Sequence, residues 1–274
     1  MPKVELILPD FIIIGANKAG TTSVARYLNQ HPEIKMATVK EPMFFVADPS
    51  QPVVERKEAN LSKPFFATDL FSYSELFSGW KEDALAFGEA STAYLCNPLV
   101  AAPEMKRIVP EVKLIAILRH PVDRAISAYK MAKGSGIEQR EFAEIVDDAA
   151  NNLNLVRRQG VKEYVRNGLY GKQIEIFFRY FDRRQFLFLT YDQLQLDAVE
   201  FMRTICEFLG ISKDFHFDTS KHYNPASDYR GDRLSIKKED RERLAELFVE
   251  DIRKTSFLTS MDLSGWLELA PTRP

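Results

Sequence analysis

The chain has 274 residues, with 37 lysines and arginines against 39 aspartates and glutamates, for a formal charge of -2. So even a balance gives no long-range field to gather nucleic acid or an anionic membrane, and any anion site must be local. Two cysteines, Cys96 and Cys206, lie far apart outside any paired motif, which excludes a disulfide scaffold or zinc site and reads as two buried thiols in a reducing compartment.

The length suits one α/β domain with a sizeable core over residues 1–274. No stretch is long and apolar enough for a membrane span, and the first residues lack a signal-peptide pattern, so the cytoplasm is the expected location. Phe11 to Ile14 is a short apolar run stopped by Gly15, the pattern of a buried strand in a parallel sheet. From Thr21, Val24, Ala25 and Leu28 recur at helical spacing, and His31-Pro32 closes that helix. A short strand is predicted over Ala84 to Glu89. A longer one covers Val112 to Leu118, followed by a helix with Pro121 in its first turn and Ile126, Tyr129 and Met131 further along. Helical patterns continue over Glu141 to Arg166 and Tyr170 to Phe181, a strand over Gln185 to Tyr191, and a helix over Ala198 to Leu209 that stops at Gly210.

This alternation predicts an α/β fold with a central, mainly parallel sheet flanked by helices. Two segments break it. Phe45 to Ser72 holds three prolines and several aromatics, and Ser212 to Ser235 has no steady period; the aromatics suggest covers over a cleft. Trp266 in "DLSGWLEL" reads as the packing residue of a docked tail, His31 and His120 as turn and packing residues, and "KKEDRERL" as a solvated helix face with i,i+4 ion pairs.

Gly15 and Gly20 have the spacing of the phosphate loop G-x-x-x-x-G-K-[ST], but Thr21 follows the second glycine and the lysine stands upstream at Lys18. The main-chain amides of such a turn, with those opening the next helix, still form an anion cradle. A nucleoside triphosphate site would add a lysine after Gly20 and an aspartate for magnesium after a second strand, whereas the strand "KLIAIL" ends in Arg119. At the carboxyl end of a parallel strand, Arg119 is positioned for the ligand crevice of an open α/β sheet, and Ser127 follows two turns along the next helix. The competing readings are an Arg119–Asp123 ion pair and a Ser127 hydroxyl bonded to its own helix backbone. Since guanidinium groups grip phosphate through paired bonds, the combination suggests a nucleotide with phosphates at two places on its ribose.

"GANKAGTT" and "LRHPVDRAISAY" resemble the 5'-phosphosulfate loop and the 3'-phosphate motif of sulfotransferases that use 3'-phosphoadenosine 5'-phosphosulfate (PAPS). "KEPMFF", "GEASTAYL", "GLYGKQIEIFF" and "ICEFLGI" follow in the order found in heparan sulfate N- and 3-O-sulfotransferases and their bacterial relatives, so the chain resembles that family from Phe11 to about Asn224. The resemblance implies a P-loop-like sulfotransferase fold and PAPS as donor, with no metal. It puts Lys18 beside the bridging oxygen, Ala19 and Gly20 in the cradle, and Thr21 and Thr22 on the 5'-phosphate with Ser23 assisting; Arg119 and Ser127 fall on the 3'-phosphate. Arg230, next to Gly231, either closes over the nucleotide or forms an exposed turn. Glu41 becomes the general base, with Lys40 beside it and His222 as an alternative; Phe44, Phe45 and Tyr94 are acceptor-wall or core residues.

Two departures bear on the acceptor. Met43 stands where the 3-O-sulfotransferases have a histidine, and Glu89-Ala90 where they have a glutamate-lysine pair. The implied acceptor hydroxyl, or amine, belongs to a small molecule, lipid or carbohydrate that is smaller or less charged than heparan sulfate. Two other readings are a magnesium-dependent P-loop kinase of a small metabolite and a nucleotide-binding scaffold without activity.

Overall fold

Five apolar runs pair side by side to form the sheet: β1 (Phe11–Gly15), β2 (Ile34–Met36), β3 (Ala86–Ala90), β4 (Lys113–Leu118) and β5 (Phe186–Thr190). A computed structural model describes residues 6–46, 67, 69–79, 84–152, 164–221, 223 and 234–268. The strand order is β2-β3-β1-β4-β5, and every pairing is parallel. β1 is central and buried along its whole length, as a strand covered on both faces requires. Helices follow in chain order: α1 (Thr21–Leu28), α2 (Leu70–Glu75), α3 (Ala93–Cys96), α4 (Pro98–Ile108), α5 (Pro121–Gly134), α6 (Phe142–Asn152), α7 (Tyr170–Phe177), α8 (Tyr191–Leu196), α9 (Ala198–Leu209), α10 (Lys238–Glu246) and α11 (Val249–Thr259).

The chain divides into two compact units. Met1–Leu118 with Ile176–Tyr223 holds the whole sheet, and Arg119–Glu175 with Asn224–Pro274 forms the second. In the second unit, buried Arg124 of α5 donates to the Tyr164 carbonyl, and buried Asp251 of α11 accepts the Gly171 and Lys172 amides at the start of α7 at 2.8 and 3.1 Å. Trp266 packs its ring on Tyr170 and His120, as a docked tail would. No described helix is long and apolar enough to cross a membrane.

The predicted strands are all present, with ends moved by a residue or two. Of the helix expected over Glu141 to Arg166, α6 covers Phe142–Asn152, residues 153–163 lie outside the described residues, and Arg166 opens a 3-10 turn, Arg166–Gly168. α7 stops at Phe177 rather than Phe181. β2 escaped prediction because three residues cannot display a period, and α4 because Pro98 and Pro103 read as breakers. Pro98 stands at the helix start, where no intrahelical N–H bond is lost. Of the cysteines, Cys206 is buried, its thiol pushed up to about 11 by burial, but Cys96 is partly exposed, a correction to the expectation of two buried thiols.

Candidate active site

In a parallel sheet the segments that follow the strands all leave from one edge, so the turn after β1, the loop after β2 and the residues after β3 share the carboxyl edge. The turn after β1 is pinned at its start by the Ala16 amide, which donates to the Ile117 carbonyl at 2.7 Å. Lys18 is left-handed, at φ 66°. Gly20 is left-handed too, at φ 80°, and is the N-cap of α1 without a side-chain cap. A Cβ on Gly20 would lie 2.7 Å from Leu194 Cδ2, so backbone conformation and space both demand glycine. The result is a helix N-terminus whose first amides have no capping side chain at Gly20 and whose dipole favours an anion.

Around this turn Ala19 and Thr21 are buried, while Lys18 and Thr22 are half-buried. Ser23 is placed differently from an assisting phosphate ligand: it is buried, and its hydroxyl accepts the Tyr223 amide at 3.1 Å and faces the Tyr223 carbonyl at 3.5 Å. Nearby, the Tyr27 hydroxyl donates to the Lys221 carbonyl, and Gln30 exchanges two bonds with the Asp218 main chain. The described part of the aperiodic segment after α9 therefore lies along α1. His31 anchors the same stretch. Its Nδ1 accepts the Glu33 amide, so Nε2 carries the proton and donates to the Ser212 carbonyl at 2.9 Å, which makes it a packing residue as expected.

The loop after β2 is held by side chains. Glu41 and Met43 are both left-handed, at φ 63° and 56°, on either side of Pro42. The Glu41 amide donates to the Ala90 carbonyl at 3.0 Å. Its carboxylate accepts Lys40 Nζ at 2.7 Å, the Thr92 amide at 2.9 Å and the Thr92 hydroxyl at 3.1 Å, and is only 12% exposed. Among the described residues just four non-glycines have positive φ, and three of them are Lys18, Glu41 and Met43. Backbone strain concentrated on one sheet edge is the pattern of a functional site.

Two of the residues considered for the acceptor wall move into the core. Phe45 and Tyr94 have 2% and 0% exposure, and the Tyr94 hydroxyl is spent on Glu89 at 2.6 Å. Phe44 is half-buried and stacks on Tyr73 with centroids 4.2 Å apart. The polar residues after β3 were missed: Ser91 and Thr92 lie inside "GEASTAYL", directly behind a strand, β3, that carries Glu89 as its fourth residue. In the second unit, half-buried Arg119 is the residue after β4, with the Tyr170 hydroxyl donating to its carbonyl at 2.9 Å. Half-buried Ser127 stands on α5, and Asp123 pairs with Arg241 at 2.8 Å. Arg230 and His222 lie outside the described residues.

A parallel sheet whose central strand runs through a glycine-bracketed turn into a helix defines a P-loop-like α/β protein. The chain matches the model of the Sulfotransferase family over residues 9–215 and belongs to that family. A sulfotransferase from Alicyclobacillus acidocaldarius has a similar crystal structure: TM-score 0.78, 31% identity, 95% of this chain and 99% of that one covered. Similar curated relatives include the mouse heparan sulfate glucosamine 3-O-sulfotransferase 3A1, 26% identical over 79% of this chain and 50% of its own. Another is the Caenorhabditis elegans bifunctional heparan sulfate N-deacetylase/N-sulfotransferase 1, 24% identical over 81% and 24%. The chain thus spans about half the length of the first and a quarter of the second. Membership of this family sets the kinase reading aside.

Proposed function

We propose that the protein moves a sulfuryl group from PAPS to a hydroxyl, or amine, of a small-molecule, lipid or carbohydrate acceptor, with Glu41 as general base. The observation that carries this is the shared sheet edge, where the amide cradle of Gly15–Gly20 follows β1 and the fixed carboxylate of Glu41 follows β2, with only β3 between the two strands of one parallel sheet. The cradle fits a phosphosulfate: it is a left-handed turn that admits no Cβ at Gly20 and opens an α-helix without a capping side chain.

Bound PAPS supplies an electrophilic sulfuryl group and a phosphate leaving group. The amides around Gly20, Thr21 and Thr22 would hold its 5'-phosphate. The Lys18 ammonium would stabilise charge on the departing oxygen, a role whose benefit appears in rate more than in binding. Glu41 would accept the acceptor's proton, while Lys40 and Thr92 keep the carboxylate in one orientation. By the likeness of "LRHPVDRAISAY" to the 3'-phosphate motif, Arg119 and Ser127 would take the 3'-phosphate, and Ser23 would support the cradle from behind through Tyr223. Met43 and Ala90 offer no charge to a polyanion, which favours a small or weakly charged acceptor beside Phe44.

The test pairs transfer with binding. Incubation with radiolabelled PAPS and a panel of 4-nitrophenol, 2-hexanol, N-acetylglucosamine and a heparan sulfate oligosaccharide should give a sulfated product from one of the first three. 3'-Phosphoadenosine 5'-phosphate (PAP) should bind at least about tenfold tighter than AMP, and Arg119→Ala should erase that difference. A PAP affinity equal to that of AMP in the parent protein would sink the donor assignment.

A further inference from the structure

Glu89, at position four of the five-residue β3, is a fully buried carboxylate that the reaction above does not use. Tyr73 and Tyr94 donate their hydroxyls to its Oε1 at 2.9 and 2.6 Å, and Ser91 donates to Oε2 at 2.7 Å. Burying a carboxyl group costs free energy unless donors replace its water, and burial pushes this one up to about 7 against the pull of the three hydroxyls.

The arrangement fixes the Ser91 hydroxyl. A serine has one proton to give. Ser91 gives it to Glu89, so a lone pair is left for the Met43 amide, which donates to Ser91 Oγ at 3.1 Å. Met43 and Glu41 are both left-handed, a conformation that is costly for any residue with a Cβ and survives only where the surroundings over-determine it. Those surroundings are three consecutive residues: the Ala90 carbonyl accepts the Glu41 amide, Ser91 Oγ accepts the Met43 amide, and the Thr92 amide and hydroxyl donate to the Glu41 carboxylate. Both ends of the Glu41–Met43 segment are therefore moored to the end of β3.

We propose that Glu89 and Ser91 are a positioning pair for Glu41: Glu89 sets the direction of the Ser91 proton, and Ser91 holds the left-handed Met43 peptide that keeps the Glu41 carboxylate in its working orientation. The inference rests on Glu41 being the base. It is tested by steady-state transfer from PAPS to whichever panel acceptor the parent sulfates, with PAP affinity and thermal midpoint measured alongside. Ser91→Ala should lower kcat by about tenfold or more, with the KM for PAPS and the PAP affinity held within about twofold. Glu89→Met, which fills the same space without an acceptor atom, covers the case in which Ser91→Ala fails to fold, and should lower kcat in the same sense. The double variant should be no slower than the slower single one, because both changes break one chain of contacts. Unchanged kcat in the folded single variants, or effects that multiply in the double, would overturn the pair. Glu41→Gln keeps the two readings apart: if it retains activity the base assignment fails, whereas if it is inactive and Ser91→Ala is fully active, only the positioning role fails.

Discussion

The turn after β1 and the loop after β2 leave the same edge of the sheet, and each contains left-handed non-glycine residues, yet they are stabilised in opposite ways. The first is a main-chain object: Gly20 and the start of α1 shape it, and the donors it would offer an anion are amides that every residue type but proline carries. The second is moored by side chains, with Lys40, Ser91 and Thr92 each contributing a bond. On the proposed reading, recognition of a phosphate group would depend on backbone geometry, and presentation of the base on residue identity. The two regions should break under different mutations.

The sharpest break should come from the chemistry itself. Glu41→Gln keeps the shape but loses the proton acceptor, and kcat should fall by about 10²–10⁴ with PAP affinity unchanged. Lys18→Ala should lower kcat by roughly 10²–10³ and weaken PAP by less than about tenfold. Single-turnover transfer together with PAP calorimetry reads both. If Lys18→Ala damaged binding as much as rate, the cradle would depend on a side chain after all and the contrast would fail.

A second effect separates the two carboxylates tied to β3. Burial raises the folded Glu89 carboxyl from its ordinary 4.5 to about 7, so between these values the folded state keeps a proton that the unfolded chain releases. The associated stabilisation is complete below about pH 4.5 and lost as pH rises through about 7, a change on the order of 3 kcal/mol. Urea unfolding at pH 5 and pH 8 should show the parent losing stability over this range relative to Glu89→Gln, which has nothing to titrate there. Parallel curves for the two proteins would mean that Glu89 is ionised throughout.

The two regions also differed in how much of them could be read beforehand. The β1 turn was legible because glycine spacing and a displaced lysine are local signals, and the parallel sheet because buried strands in such sheets are continuous apolar runs. Glu41 was reached only through the likeness of "KEPMFF", since nothing local distinguishes it from any loop carboxylate. Ser91 and Thr92 were not read as site residues because their meaning lies in contacts with Met43 and Glu41, about fifty positions earlier, and Glu89 because its role runs through Ser91; no spacing rule encodes either. For Phe45 and Tyr94 the sequence left wall and core both open for a related reason: an aromatic beside a site motif looks the same in sequence whether it lines a cleft or, as both do, sits in the core.

Gly20→Ala attacks the backbone-made region alone. With φ at 80° and Leu194 2.7 Å from the new Cβ, the substitution should cost about 2 kcal/mol, lower the thermal midpoint by roughly 5 °C and weaken PAP. A change of this size at one methyl group, with the Glu41 loop untouched, would tie nucleotide affinity to the turn's conformation.

The fourth left-handed non-glycine residue, Ser260, supplies the control that the comparison needs. It is the exposed C-cap of α11, at φ 57° and ψ 23°, a position that glycine fills without the penalty paid by a Cβ. Ser260→Gly should therefore stabilise the protein by about 0.5–1 kcal/mol, reduced somewhat by the greater freedom of glycine in the unfolded chain, and leave kcat as it was. The same replacement at Met43 relieves comparable backbone strain but loosens the segment that carries Glu41, so its relief should be accompanied by a fall in kcat. Strain that can be removed without loss of rate belongs to the fold, and strain that cannot belongs to the catalytic edge; urea midpoints and kcat for the two glycine variants, side by side, draw that line.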